Sequence, residues 1–173
     1  LAQAPFTLMP MVLDSIAREI KHAREGKKAM VRAKLNALID PEVIEALYEA
    51  SQAGVEVELI IRGVCALRPG VKGLSENIRV YSVIGRFLEH SRIYYFYNDG
   101  VDDVWLSSAD WMQRNLRRRV EIAFPILDSA AKRRVIDEGL LVHFDENPSA
   151  WEMDADGDYQ RQTQDGPTDA LRL

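Results

Sequence analysis

AMVRAKLNALIDPEVIEALYEASQAGVEVELII, residues 29–61, is the stretch that settles the architecture. Residues 29–35 read as a strand. Asp40-Pro41 is a helix start, a side chain able to cap free amides followed by a proline whose missing N–H costs nothing at the first helical position. Val43, Ile44, Leu47 and Ala50 give that helix one apolar face, and Gly54 closes it. Residues 55–61 form a second strand, alternating Val and Glu before the apolar Leu59-Ile60-Ile61. Strand, helix and strand joined by short links imply a parallel crossover and an α/β domain.

Toward the amino terminus, Val12, Ile16, Ile20 and Ala23 share one face of a helix ending near Gly26. Arg18, Glu19, Lys21, His22 and Glu25 lie elsewhere on that wheel. Toward the carboxyl terminus, residues 62–77 carry Gly63, Pro69, Gly70 and Gly73 and no periodicity. They form a loop beyond the carboxyl end of a strand, where open α/β sheets hold ligands. Strands are expected at 79–83, 92–97, 104–107 and 119–124, with Asn98-Asp99-Gly100 as a turn. Asp128 caps a last helix running to about residue 142. The domain is expected over 1–145, with 146–173 an acidic, flexible tail from which Trp151 and Tyr159 are able to dock.

The chain has 173 residues, 47% hydrophobic and 28% charged, a composition normal for a globular domain. Its net charge of -5 argues against general nucleic-acid binding. From Asp145 onward there are eight acids and two bases. By contrast, residues 62–92 hold six bases (Arg62, Arg68, Lys72, Arg79, Arg86, Arg92) against Glu76 and Glu89. A local basic cluster on a nearly neutral body suits a small or linear polyanion. No apolar run reaches the length of a membrane span, and no signal peptide precedes Pro5. The single cysteine, Cys65, allows no internal disulfide and fits a reducing cytoplasm. The chain opens on Leu1 rather than Met and is read as a piece of something longer.

The residues fit for chemistry form a set. Arg62 leaves a strand into the loop that carries Arg68. His90 and Arg92, one residue apart at a strand start, point to the same face. Ser107-Ser108-Ala109-Asp110 ends the next strand, and Asn115, Arg119 and Glu121 follow. Histidine attacks phosphorus or passes a proton near neutral pH, cations hold non-bridging oxygens, and hydroxyls fix geometry. Glu121 is placed to orient the His90 imidazole through its other nitrogen. Other residues read as bystanders. His22 lies on a polar wheel, His143 at a helix end, and Cys65 is a small inert thiol. Residues 114–119 read as a solvated face, and Tyr94 to Tyr97 as core and sheet surface. Gly85-Arg86 lacks the spacing of a phosphate-binding glycine loop.

Several long motifs occur in order. They are Ile61-Arg62-Gly63-Val64-Cys65-Ala66-Leu67-Arg68-Pro69-Gly70, then Gly73-Leu74-Ser75-Glu76-Asn77-Ile78-Arg79-Val80. Gly85-Arg86-Phe87-Leu88-Glu89-His90-Ser91-Arg92 follows, then Ser107-Ser108-Ala109-Asp110-Trp111-Met112 with Arg114-Asn115-Leu116. With Ala33-Lys34-Leu35-Asn36 and Asp40-Pro41, they resemble the carboxyl-terminal domain of bacterial polyphosphate kinase over residues 5–126. The resemblance implies a phospholipase-D-like α/β/α sandwich with a mixed sheet, a single-domain fragment of an enzyme in which two such domains each give a histidine to one site. That enzyme reversibly moves the terminal phosphate of ATP onto polyphosphate through a phosphohistidine in the preceding domain, with ADP as the other product.

By resemblance, Arg62 and His90 match ATP-contacting positions, and His90 is the second, assisting histidine. Arg92 stands where the wider pattern has lysine. Arg68, Ser107 and Ser108 join the phosphate-binding set, with Lys34, Asn36, Asp110, Asn115 and Glu121 in support. Magnesium is implied for the full enzyme with ligands outside this chain, and the full-length protein is implied to be a homo-oligomer. The chain then lacks the upstream domains and is an excised half-site, inactive alone. Two alternatives stay open: a phospholipase-D-type phosphodiesterase pairing two His90 residues across a homodimer, and a non-catalytic module for assembly or polyanion tethering.

Overall fold

The computed structural model describes residues 1–83, 90–144 and 150–161, and the backbone of 170–171. In chain order come β1 (Ala2–Ala4), α1 (Leu8–Arg24), β2 (Met30–Leu35), α2 (Pro41–Gln52) and β3 (Glu56–Ile61). Then follow β4 (Ile78–Val83), β5 (Arg92–Phe96), β6 (Asp103–Ser107), β7 (Glu121–Pro125) and α3 (Ser129–Gly139). The last strands are β8 (Ala150–Met153), β9 (Tyr159–Arg161) and β10 (Ala170–Leu171). Gly85, Arg86 and Glu89 of the quoted motifs, and the boundary expected at 145/146, lie outside the described residues.

The crossover forms as its residues dictate. Asp40 Oδ1 accepts the amides of Glu42 (3.1 Å) and Val43 (3.3 Å), and Pro41 takes the first helical position. Strands β2 and β3 pair in parallel, Met30 opposite Glu56 through Leu35 opposite Ile61, and β4 continues the parallel run beside β3. Strand β5 pairs antiparallel with β2, making the sheet mixed. The strand order is β1-β7-β6-β5-β2-β3-β4-β8-β9-β10.

Helices cover both faces. Leu8, Val12 and Ile16 of α1 and Val43 and Leu47 of α2 pack with Val31, Ala33, Leu59, Tyr94 and Phe96 in one core. Each such side chain buried contributes about 1.5–3 kcal/mol. Ile136 of α3 and Leu140 just beyond it pack with Met30, Ile60, Ile93 and Tyr95 on the other face. The result is the expected α/β/α sandwich. Among the described residues no helix is long and apolar enough to cross a membrane.

Three local expectations need correction. Glu19 is fully buried rather than on a solvated wheel. Its Oε2 accepts the amide of Met30 (3.2 Å) and its Oε1 that of Asn98 (2.8 Å), so the carboxylate ties α1 to the start of β2 and to the turn after β5. The tail is not wholly a flexible appendage. β8 pairs with β4, Trp151 opposite Ser82, and β9 pairs with β8, Tyr159 opposite Met153. Ala150 and Met153 are buried there. Finally, α3 stops at Gly139, and residues 141–143 form a separate short 3-10 turn.

Candidate functional site

Antiparallel pairing brings the site together. The carboxyl end of β2 lies beside the amino end of β5, since Lys34 is opposite Ile93. Arg92 is opposite Ser107, and Ser107 is opposite Ala123. Asn36, Arg92, the serines and Glu121 therefore meet at one edge. They line a concave site of about 660 Å³ with His90, Asp110, Arg114, Asn115 and Arg119.

Asp110 organises one side. It is 4% exposed, and its Oδ1 accepts the amides of Asn36 (2.7 Å) and Ala37 (3.3 Å). Arg92 grips it with two parallel bonds, Nε to Oδ1 and Nη2 to Oδ2, each 3.0 Å. Paired bonds of this kind fix the guanidinium plane as well as its charge. The remaining Nη1 of Arg92 lies 2.9 Å from His90 Nδ1 and donates to the His90 carbonyl at 3.0 Å. His90 itself is exposed at the mouth.

Glu121 organises the other side. Its Oε2 accepts from Ser108 Oγ (2.5 Å) and its Oε1 from Asn115 Nδ2 (2.6 Å). Ser108 Oγ in turn accepts the Ile122 amide, and Ser107 Oγ accepts that of Ala109. Glu121 thus does not orient the imidazole as expected from the sequence. Its oxygens are committed to Ser108 and Asn115, and Arg92 takes the His90 ring nitrogen.

The other sequence-predicted residues are dispersed. Arg62 stands one layer behind, donating through Nε (2.9 Å) and Nη2 to Asn36 Oδ1. The backbones there approach closely: a Cβ on Gly63 would sit 2.8 Å from the Asn36 carbonyl oxygen. Lys34 is buried at 4% exposure, its Nζ 2.8 Å from His143 Nε2, and it does not line the cavity. His143, read as a bystander at a helix end, is itself buried. Arg68 lines a separate cleft of about 480 Å³ with Cys65, Met153, Asp156 and Tyr159.

Arg114 is the residue missed, since residues 114–119 as a run read as a solvated face; it joins Arg119, already named with the site set. Residues Arg114–Arg118 form a π-helical turn in which the Arg119 amide donates to the Arg114 carbonyl at 2.9 Å. A turn of that width brings positions five apart to one side, a spacing invisible to a 3.6-residue reading. Arg92, Arg114 and Arg119 thus surround an exposed imidazole, while Asp110 and Glu121 spend their oxygens on neighbours. The arrangement can hold an anion with several oxygens and offer it a hydrogen bond.

Burial pushes the Cys65 thiol up from 9.0 to about 11. A raised thiol pKa keeps the proton on sulfur, so alkylation below pH 9 is slow. Native Cys65 should react with iodoacetamide about a hundredfold more slowly than in urea, the two-unit rise expressed as thiolate fraction. Equal rates in the two states would show that the thiol is not shielded.

The family model described as polyphosphate kinase C-terminal domain 2 matches residues 1–171. The polyphosphate kinase of Burkholderia lata is 66% identical over 159 residues, 92% of this chain and 23% of that protein. That of Neisseria meningitidis is 61% identical over 161 residues, 93% of this chain and 24% of that protein. The chain therefore spans about a quarter of the length of these relatives. The crystal structure of polyphosphate kinase from Porphyromonas gingivalis superposes with a TM-score of 0.88 at 40% identity, covering 96% of this chain and 26% of that one. A phospholipase D family member, Nuc from Salmonella typhimurium, gives a TM-score of 0.55 at 17% identity over 79% of this chain and 88% of its own, a likeness of fold alone.

Proposed function

The chain belongs to the polyphosphate kinase C-terminal domain family, and from that premise we propose that it supplies half of a phosphoryl-transfer site. In this reading the full enzyme moves the terminal phosphate of ATP reversibly to polyphosphate, leaving ADP. The phosphoryl group is carried in transit by a histidine of the upstream domains, which are this chain's partners within one polypeptide. One observation carries the reading: an exposed His90 held by Arg92 at a cavity that Arg114 and Arg119 also line. Positive groups converging on an open pocket match the charge spread over the equatorial oxygens of a transferring phosphoryl group.

Among the described residues no three His, Cys, Asp or Glu side chains converge as metal ligands.

The test is a full-length polyphosphate kinase carrying this chain as its carboxyl-terminal domain. His90→Ala should lower ATP-dependent polyphosphate synthesis by about 10²–10⁴-fold, the usual span for losing a positioned proton-handling group. Turnover within a few-fold of the unmodified enzyme would overturn the proposal. The 173-residue chain alone should bind polyphosphate weakly and synthesise none, and robust synthesis by it would equally sink the half-site reading.

A further inference from the structure

We propose that Asp110 and Arg92 are positioning residues that hold the His90 imidazole in its Nε2–H tautomer, so that the ring meets a phosphoryl oxygen as a hydrogen-bond donor and not as a nucleophile. The role given to the ring rests on the phosphoryl-transfer reading above. The tautomer rests on geometry alone.

Arginine carries five N–H donors, no acceptor, and keeps its proton in proteins. Its Nη1 lies 2.9 Å from His90 Nδ1, so Nδ1 must present its lone pair. A neutral imidazole has one N–H, which therefore resides on Nε2. The same Nη1 donates to the His90 carbonyl at 3.0 Å, bridging ring and backbone of one residue. The guanidinium cannot turn away, because its Nε and Nη2 are held by Asp110. Asp110 is immobilised in turn by the amides of Asn36 and Ala37 at the end of β2.

Among the described residues no carboxylate bonds the ring. Glu121, the acidic side chain across the cavity, is taken by Ser108 and Asn115. With Nδ1 occupied and Nε2 protonated, neither nitrogen has a lone pair free to attack phosphorus. Among the described residues Nε2 has no hydrogen-bond partner, and it belongs to an exposed side chain lining the cavity. The lysine of the wider pattern is a point charge on a flexible stem. It lacks the planar fork that lets Arg92 serve Asp110 with one edge and His90 with the other.

Long-range proton–nitrogen spectra of the 173-residue chain in mildly alkaline buffer read the tautomer directly, with His90→Gln assigning the signals. The unmodified chain should show essentially the Nε2–H pattern, and Arg92→Gln should introduce the other tautomer as a visible second population. An Nδ1–H pattern in the unmodified chain overturns the inference without requiring any variant to fold. So does a tautomer population that a folded Arg92→Gln chain leaves unchanged. In the full-length enzyme, His90→Gln, which retains an N–H donor near Nε2, should recover at least tenfold of the turnover lost in His90→Ala. No recovery would remove the donor role. A harmless His90→Ala would instead fell the phosphoryl-transfer reading while the spectra still decide the tautomer.

Discussion

Asp110→Ala is expected to lower folding stability by about 3–5 kcal/mol, the range for removing one partner of a buried ion pair. The carboxylate accepts four hydrogen bonds, two from backbone amides and two from Arg92, and is 4% exposed. Alanine leaves a guanidinium whose side chain is only 12% exposed facing an apolar methyl, with two amides at the end of β2 unsatisfied. Each orphaned donor costs about 1–3 kcal/mol. In urea unfolding the midpoint should fall while the slope stays constant, because the surface exposed on unfolding changes little. A loss below about 1 kcal/mol, the worth of a solvent-screened pair, would show that water replaces the carboxylate and that this edge is open.

Glu19→Ala carries the second large effect, about 2–4 kcal/mol from one buried and one half-buried amide left without an acceptor. Those amides belong to Met30 and Asn98, and they face one fully buried carboxylate. Asn98 has φ 48°, and Asp99 and Asp102 each φ 55°, so the connection after β5 holds three non-glycine residues in the left-handed region. Such conformations persist where their surroundings over-determine them, and the Glu19 bond to the Asn98 amide is part of that hold. Native-state hydrogen exchange should therefore show Asn98 and Met30 losing protection far more than amides of β3. Uniform loss would mean that Glu19 stabilises the whole fold without anchoring the turn.

The crossover was legible because its signals are local. Asp40-Pro41 caps through amides two and three residues away, and the apolar periodicity of α2 matches the face it buries. Glu19 was not legible, because its partners lie 11 and 79 residues away and a carboxylate flanked in sequence by Arg18 and Lys21 reads as solvated. β8 was hidden by composition. Its four residues are flanked by acids, and its pairing with β4 reaches some seventy residues back. At the site, the motifs named His90, Arg92, the serines, Asp110 and Asn115, and these line one cavity. They could not show that Glu121 was already engaged, nor that a π-turn brings Arg114 to the same side as Arg119. Arg68 was grouped with these residues because it shares the loop of Arg62, yet that loop runs past the cavity into a different cleft.

The strand order carries a consequence for how the chain is made. Synthesis lays down the central strands first, then adds β5, β6 and β7 on one flank, and only afterwards β8 and β9 on the other. Until residue 150 leaves the ribosome, the apolar β4 has an unpaired outer rim, an invitation to strands of neighbouring nascent chains. The late strands close that rim, and the turn joining them carries Asp154, Asp156 and Asp158. Like charges at the margin of a sheet repel a second copy approaching in register. The acidity of this segment should thus disfavour self-association beside the strands added last.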